Sequence, residues 1–108
     1  METLACTLEC PIKKVADILD GKWTTLIIRD LLSGPKRYHE LQHSLDGISA
    51  KVLAERLKKL DSHDIIQRTV FDTVPPSTEY QLTEKGLALA PVLSAMADYG
   101  THVLGRES

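Results

Sequence analysis

The chain has 108 residues and carries 13 Lys and Arg against 15 Asp and Glu, a formal net charge of −2. Hydrophobic residues make up 43% and charged residues 26%, which suits one globular domain over residues 1–108 with a single modest core. No apolar run approaches a membrane span, "METLACTLEC" has no signal-peptide pattern, and two cysteines make no disulfide framework, so the expectation is a reduced cytoplasmic protein with no membrane partner.

The first element opens at "CPIKKVADILD". Pro11 suits the first helical position, which makes Cys10 the N-cap. Ile12, Val15, Ala16 and Leu19 then share one face. Gly21 breaks this helix. A second runs through "KWTTLIIRDLLSGP", with Trp23, Leu26, Ile27 and Leu31 at helical spacing, and Gly34-Pro35 stops it. "KRY" has room for no more than a bridging strand. "HELQHSL" makes a brief helix, and Asp46-Gly47 turns the chain.

"ISAKVLAERLKKLDSHD" is the clearest element. Ser49 is a good N-cap. Leu53, Leu57 and Leu60 lie on one face with Ala50 beside them, while Lys51, Glu55 and Lys58 point away. The helix is expected to end between Ser62 and Asp64. "IIQRTVFD" then alternates as a strand, "TVPPS" is a loop, and "TEYQLT" returns as a second strand, giving a hairpin. Thr83 caps a last helical region that Pro91 kinks or divides. Leu89, Val92, Leu93, Met96, Tyr99 and Val103 form its apolar stripe. The pattern predicts a mainly α protein with a small β-hairpin: a helix-turn-helix carrying a wing.

The net charge argues against a basic nucleic-acid binder. Its distribution does not. From Lys51 to Lys59 the chain carries Lys51, Arg56, Lys58 and Lys59 against Glu55 alone. A solvated basic face and a DNA-reading face both fit that run taken by itself.

"HELQH" raises a different possibility, because H-E-x-x-H on a helix is the zinc-protease motif. His39 and His43 would grip the metal and Glu40 would act as general base. Catalytic zinc needs a third protein ligand. His63 and His102 are available, but neither has the spacing of a known zinc protease. No metal, no cofactor and no enzymatic activity are therefore expected, with adventitious metal at His39 and His43 left open.

The order Cys-Pro, Gly-Lys-Trp, Gly-Ile-Ser, Val-Pro-Pro, Glu-Tyr and Leu-Thr, running from Cys10 nearly to the end, resembles the HxlR-type transcriptional regulators. These are a winged-helix group related to the MarR regulators. The resemblance implies a homodimer on a pseudo-palindromic DNA operator. The sequence departs from the family in two places: His39 stands where a small polar helix cap is usual, and Asp64 stands where a glycine follows the recognition helix.

On this reading Ser49, Ala50, Lys51, Val52 and Glu55 meet base edges, and Arg37, Arg56, Lys58 and Lys59 reach phosphates. The wing loop from Thr73 to Ser77 has no Lys or Arg at its tip, so its contacts should be weak. Ile12, Val92, Met96, Tyr99 and Val103, from the terminal helices, are the candidate dimer interface. A thiol at a helix N-terminus gains thiolate character from the helix dipole, and Lys13 and Lys14 add positive charge near Cys10. The resemblance transfers to Cys10 a redox or electrophile-sensing role, with Cys6 or the partner's Cys10 as its disulfide partner; an inert capping thiol is the alternative. The effector is not legible. The runner-up function is a winged-helix protein-interaction module that binds no DNA.

Overall fold

In the computed structural model, which describes residues 10–105, helix α1 (Pro11–Ile18) begins as expected, with Cys10 at its N-cap. None of its residues is buried. Among the described residues nothing covers its apolar face, and Ile12 is 54% exposed. Only Ile18 and the following Leu19 pack against the core.

Gly21 turns the chain with φ 84°, a conformation that a Cβ disfavours. Helix α2 (Lys22–Leu32) follows, burying Thr24, Ile27, Ile28 and Leu31. Trp23 and Leu26, expected on the same stripe as Ile27 and Leu31, are only half-buried and pack against the core's edge. Thr24 is tolerated in the core because its hydroxyl donates to the Asp20 carbonyl at 2.9 Å.

Strand β1 (Lys36–Arg37) leads directly into helix α3 (Tyr38–Ser44). Arg37 is the N-cap, so His39 is not at the cap position: it lies inside the first turn. Glu40 supplies the cap, its carboxylate accepting the Arg37 backbone N–H at 2.7 Å. Leu41 and Leu45 face the core. After the turn at Gly47, helix α4 (Ala50–Ser62) starts from Ser49, whose hydroxyl accepts the Val52 N–H at 3.1 Å. Leu53, Leu57 and Leu60 are buried as expected, whereas Ala50 is exposed. Asp64 takes the left-handed conformation, φ 61°, at the position where a glycine was expected.

Strands β2 (Ile66–Phe71) and β3 (Ser77–Leu82) pair antiparallel, with Ile66 opposite Leu82 and Phe71 opposite Ser77. β1 pairs on the other side of β3, giving a three-stranded sheet in the order β1-β3-β2. Within β2 only Ile66 is buried, next to the buried Ile65. The rest of β2 extends past the core into solvent, whereas β3 buries Tyr80 and Leu82.

Thr83 caps helix α5 (Glu84–Leu87) by accepting the Gly86 N–H at 3.1 Å. Pro91 lies in the first turn of a new helix, α6 (Ala90–Tyr99), so it divides the region instead of kinking it. A π-helical turn, Gly100–Leu104, ends the described chain. The expected C-terminal stripe splits along its length. Leu89 and Leu93 fold back on the core, and Val92, Met96, Tyr99 and Val103 face outward.

Candidate nucleic-acid interface

Helix α4 is held from below and from its start. Its three leucines anchor it on α2 and the sheet, and the Tyr38 hydroxyl donates to the Ala50 carbonyl at 3.3 Å. Its outward side presents Ser49, Ala50, Lys51, Glu55 and Lys58 together, all exposed. Lys51, Glu55 and Lys58 share one face of the helix, with Ser49 and Ala50 at its start, an arrangement a major groove accepts. Val52 is half-buried at the edge of that face.

The other basic residues named from sequence are placed differently. Arg56 and Lys59 turn towards the junction of α1 and α2. Lys59 Nζ stands 3.9 Å from the Asp20 carboxylate. The Arg56 guanidinium lies so close to Gly21 that a Cβ there would be 3.4 Å from its Nη2. Arg56 Nε is buried and has no hydrogen-bond partner among the described residues. Arg37 is further removed. Its Nη1 donates to the Ser77 hydroxyl, its Nε is 3.6 Å from Glu79, and its guanidinium stacks 4.5 Å over the Phe71 ring. It braces the base of the wing. At the wing tip Val74 is fully exposed and the Thr73 hydroxyl donates to the Pro75 carbonyl at 2.7 Å.

Sequence reasoning missed two supports. Ser44, at the end of α3, donates to the Asp30 carboxylate at 2.7 Å and ties α3 to α2. Tyr38 locks the start of α4, a pairing across twelve residues that periodicity does not reveal. It also missed a cleft between α4 and the sheet, where the strand register sets Arg68 opposite Tyr80. Burial raises the Tyr80 pKa, and the neighbouring Arg68 charge partly opposes this.

His39 and His43 are both exposed on α3. The Glu40 carboxylate is committed to the helix cap. Among the described residues no group of three His, Cys, Asp or Glu stands close enough to hold a metal ion.

Cys10 is 1% exposed. Lys13, one source of positive charge near it, pairs with Asp17 at 3.1 Å. Cys6 lies outside the described residues. Of the candidate interface residues, Met96 is 49% and Tyr99 58% exposed. Val92, Met96 and Tyr99, with Ala95, Gly100 and Leu104, line a groove of about 670 Å³.

The model of the HxlR-like helix-turn-helix family matches residues 18–108. An uncharacterised HTH-type transcriptional regulator of Synechocystis sp., sll1512, is 44% identical over 99 residues, which span 92% of this chain and 73% of that protein. The HTH-type transcriptional regulator YodB of Bacillus subtilis is 46% identical over 88 residues, 81% of this chain and 79% of that protein. The reduced form of YodB superposes with a TM-score of 0.77 at 38% identity, covering 89% of this chain and 95% of that one. Diamide-treated YodB gives 0.73, also at 38% identity, over 90% and 97%.

Proposed function

Because the chain belongs to the HxlR-like helix-turn-helix family, we propose that it is a sequence-specific transcriptional regulator that binds a pseudo-palindromic operator as a homodimer in the cytoplasm. The observation that carries this reading is the exposed ridge from Ser49 to Lys58 on a capped, three-leucine-anchored helix beside a wing. In the major groove Lys51 donates to guanine, Val52 touches a thymine methyl, and Glu55 accepts from cytosine. Ser49 and Ala50, at the helix start, lie against the base edges. Lys58 reaches a phosphate directly. Arg56 and Lys59 reach the backbone from the flank near Gly21. Arg37 serves by holding the wing, since its guanidinium already has three partners.

The partner chain covers α1 and α6. Ile12, Val92, Met96, Tyr99 and Val103 are apolar, exposed and confined to α1, α6 and the π-helical turn that follows α6, and a second copy supplies a matching apolar face. Such a dimer sets two α4 helices about 34 Å apart, one turn of DNA.

Cys10 is the regulatory thiol on this reading. Two Cys10 thiols, one from each protomer, or Cys10 and Cys6, lose two electrons and two protons to an oxidant such as diamide. They form a disulfide while the diamide takes up both hydrogens. The similarity to YodB, which has been treated with diamide, supports this assignment.

Fluorescence anisotropy on DNA selected from a genomic pool tests the reading. Specific binding should appear, with log affinity falling linearly against log salt. Lys58→Ala should weaken binding to every sequence and lower that slope by about one, and Lys51→Ala should relax base preference at one position. Absence of saturable DNA binding would leave the winged-helix protein-interaction module standing.

A further inference from the structure

Helix α3 carries His39 and His43, and the DNA-reading role leaves both unused. They lie four residues apart on a seven-residue helix, and both are exposed. Positions four apart share one helix face, with Cβ atoms about 5–6 Å apart. A helical side chain leans over the turn on its N-terminal side, so His43 leans towards His39. The helix beneath them is fixed at three points. Glu40 accepts the Arg37 N–H at its start, Ser44 donates to Asp30 at its end, and Leu41 lies in the core between. Bringing the two imidazoles onto one ion therefore needs only side-chain rotation.

His39 also borders a cleft of about 450 Å³ between the start of α3 and the wing loop. Tyr38, Pro75 and Pro76 give it apolar walls, and Ser77 and Thr78 are its hydroxyl-bearing residues. Among the described residues no Lys, Arg, Asp or Glu lines it, so no charge of the chain repels or neutralises a cation there. Imidazole donors suit Zn²⁺, Cu²⁺ and Ni²⁺, whereas Mg²⁺ and Ca²⁺ take oxygen donors. Two protein ligands do not close a coordination sphere, so such an ion exchanges and keeps positions open to oxygen. This is not the zinc-protease arrangement. Glu40 is held in the helix cap, and among the described residues no third His, Cys, Asp or Glu completes the site.

We propose that His39 and His43 bind one exchangeable divalent transition-metal ion, and that its open positions take a phosphate oxygen of bound DNA. The wing loop from Thr73 to Ser77 has no Lys or Arg. The ion supplies positive charge beside that neutral loop and so strengthens operator binding. This coupling rests on the DNA-reading role above; metal binding itself does not.

Calorimetric titration with Cu²⁺, Zn²⁺ and Mg²⁺ tests the proposal. It uses the full chain carrying Cys6→Ser and Cys10→Ser, which removes the thiols as rival ligands. The expected order is Cu²⁺ tightest at one equivalent, Zn²⁺ weaker, and Mg²⁺ without saturable binding. His39→Ala and His43→Ala should each lose the site. Both side chains are exposed, so circular dichroism should stay unchanged, and His43→Gln repeats the test with a bulkier side chain. Electron paramagnetic resonance of the Cu²⁺ form should show coupling to two imidazole nitrogens. Zn²⁺ should raise operator affinity and steepen its salt dependence in this chain, and do neither once His43→Ala is added. Three outcomes overturn the site: no one-equivalent binding, binding that survives both alanine variants, or binding lost with only one of them. The second would be an adventitious ion held elsewhere, and the third a lone surface histidine. Zn²⁺ that binds at the pair and leaves operator affinity unchanged would overturn the phosphate contact. If the chain without metal or substitutions bound no DNA, the DNA-reading role and the phosphate contact would both fail, while the titrations still decided the metal site.

Discussion

Gly86→Ala puts a methyl group where the chain has no room for it. A Cβ on Gly86 would overlap the carbonyl oxygen of Ile65 and stand 2.9 Å from Leu82 Cδ2. The first neighbour is backbone and cannot swing aside. The same carbonyl accepts the Thr83 N–H at 3.0 Å and the Thr83 hydroxyl at 3.1 Å, so relieving the overlap stretches both bonds. Overpacking costs about 1–3 kcal/mol, and two weakened hydrogen bonds add roughly 1 kcal/mol each. The expected loss is therefore about 3–5 kcal/mol, a large share of the ~5–15 kcal/mol that holds a domain together. At this size the midpoint temperature should drop by roughly 15–25 °C. Urea unfolding followed by the single tryptophan, Trp23, which packs against the core, measures it directly. Gly100→Ala is the matched control: Gly100 has φ −60° and nothing within 4 Å of the added carbon, so its change should be neutral or stabilising by up to about 1 kcal/mol. A Gly86→Ala protein within about 1 kcal/mol of the parent would refute the argument that α5 is pressed against the start of β2.

Further outcomes are expected elsewhere in the molecule. Met96→Glu places a charge in the outward apolar groove and should convert the proposed dimer to monomer in sedimentation velocity while Trp23 fluorescence stays native; a dimer with an unchanged sedimentation coefficient would place the interface on another surface. Cys10→Ser should bind DNA as the parent does and lose its response to diamide, and a retained response would remove Cys10 from the switch. Glu40→Ala removes the α3 cap and should cost about 0.5–2 kcal/mol in urea unfolding. Burial raises the Tyr80 pKa, so the folded chain holds that proton more tightly than the unfolded chain. Stability should then fall as pH rises past the unfolded value of 10.0, and Tyr80→Phe should flatten that fall.

The elements most legible in the sequence were those fixed by near neighbours. Ser49 caps Val52 three residues on, the α4 leucines repeat at helical spacing, and Thr83 caps Gly86. Gly34-Pro35 and Pro91 act on the backbone where they stand. What the sequence hid depends on distant partners. Arg37 looked like a phosphate ligand because nothing nearby competes for it; its hydroxyl partner, Ser77, is 40 residues away. Arg56 and Lys59 shared a basic run with Lys51 and Lys58, yet helical geometry turns them to a flank where Gly21 and Asp20 lie. The C-terminal stripe read as one surface, because periodicity gives a face and not its neighbour. Leu89 and Leu93 meet the chain's own core, and Met96 and Tyr99 do not. "HELQH" matches the zinc-protease motif by pattern alone, and Glu40 in it works locally, as a helix cap.

Helix α1 is eight residues long and buries none of them. In water an isolated helix of that length is marginal, since nucleation is unfavourable and too few turns follow to recover it. Its order must then come from whatever lies against Ile12 and Val15. If that is a second copy, folding of this arm and association of the protein are a single equilibrium, and helical content becomes a function of protein concentration. Dilution would unravel the segment that begins at Cys10 and with it alter the surroundings of the thiol. The abundance of the regulator, and not only the oxidant it meets, would then set how readily that sulfur reacts.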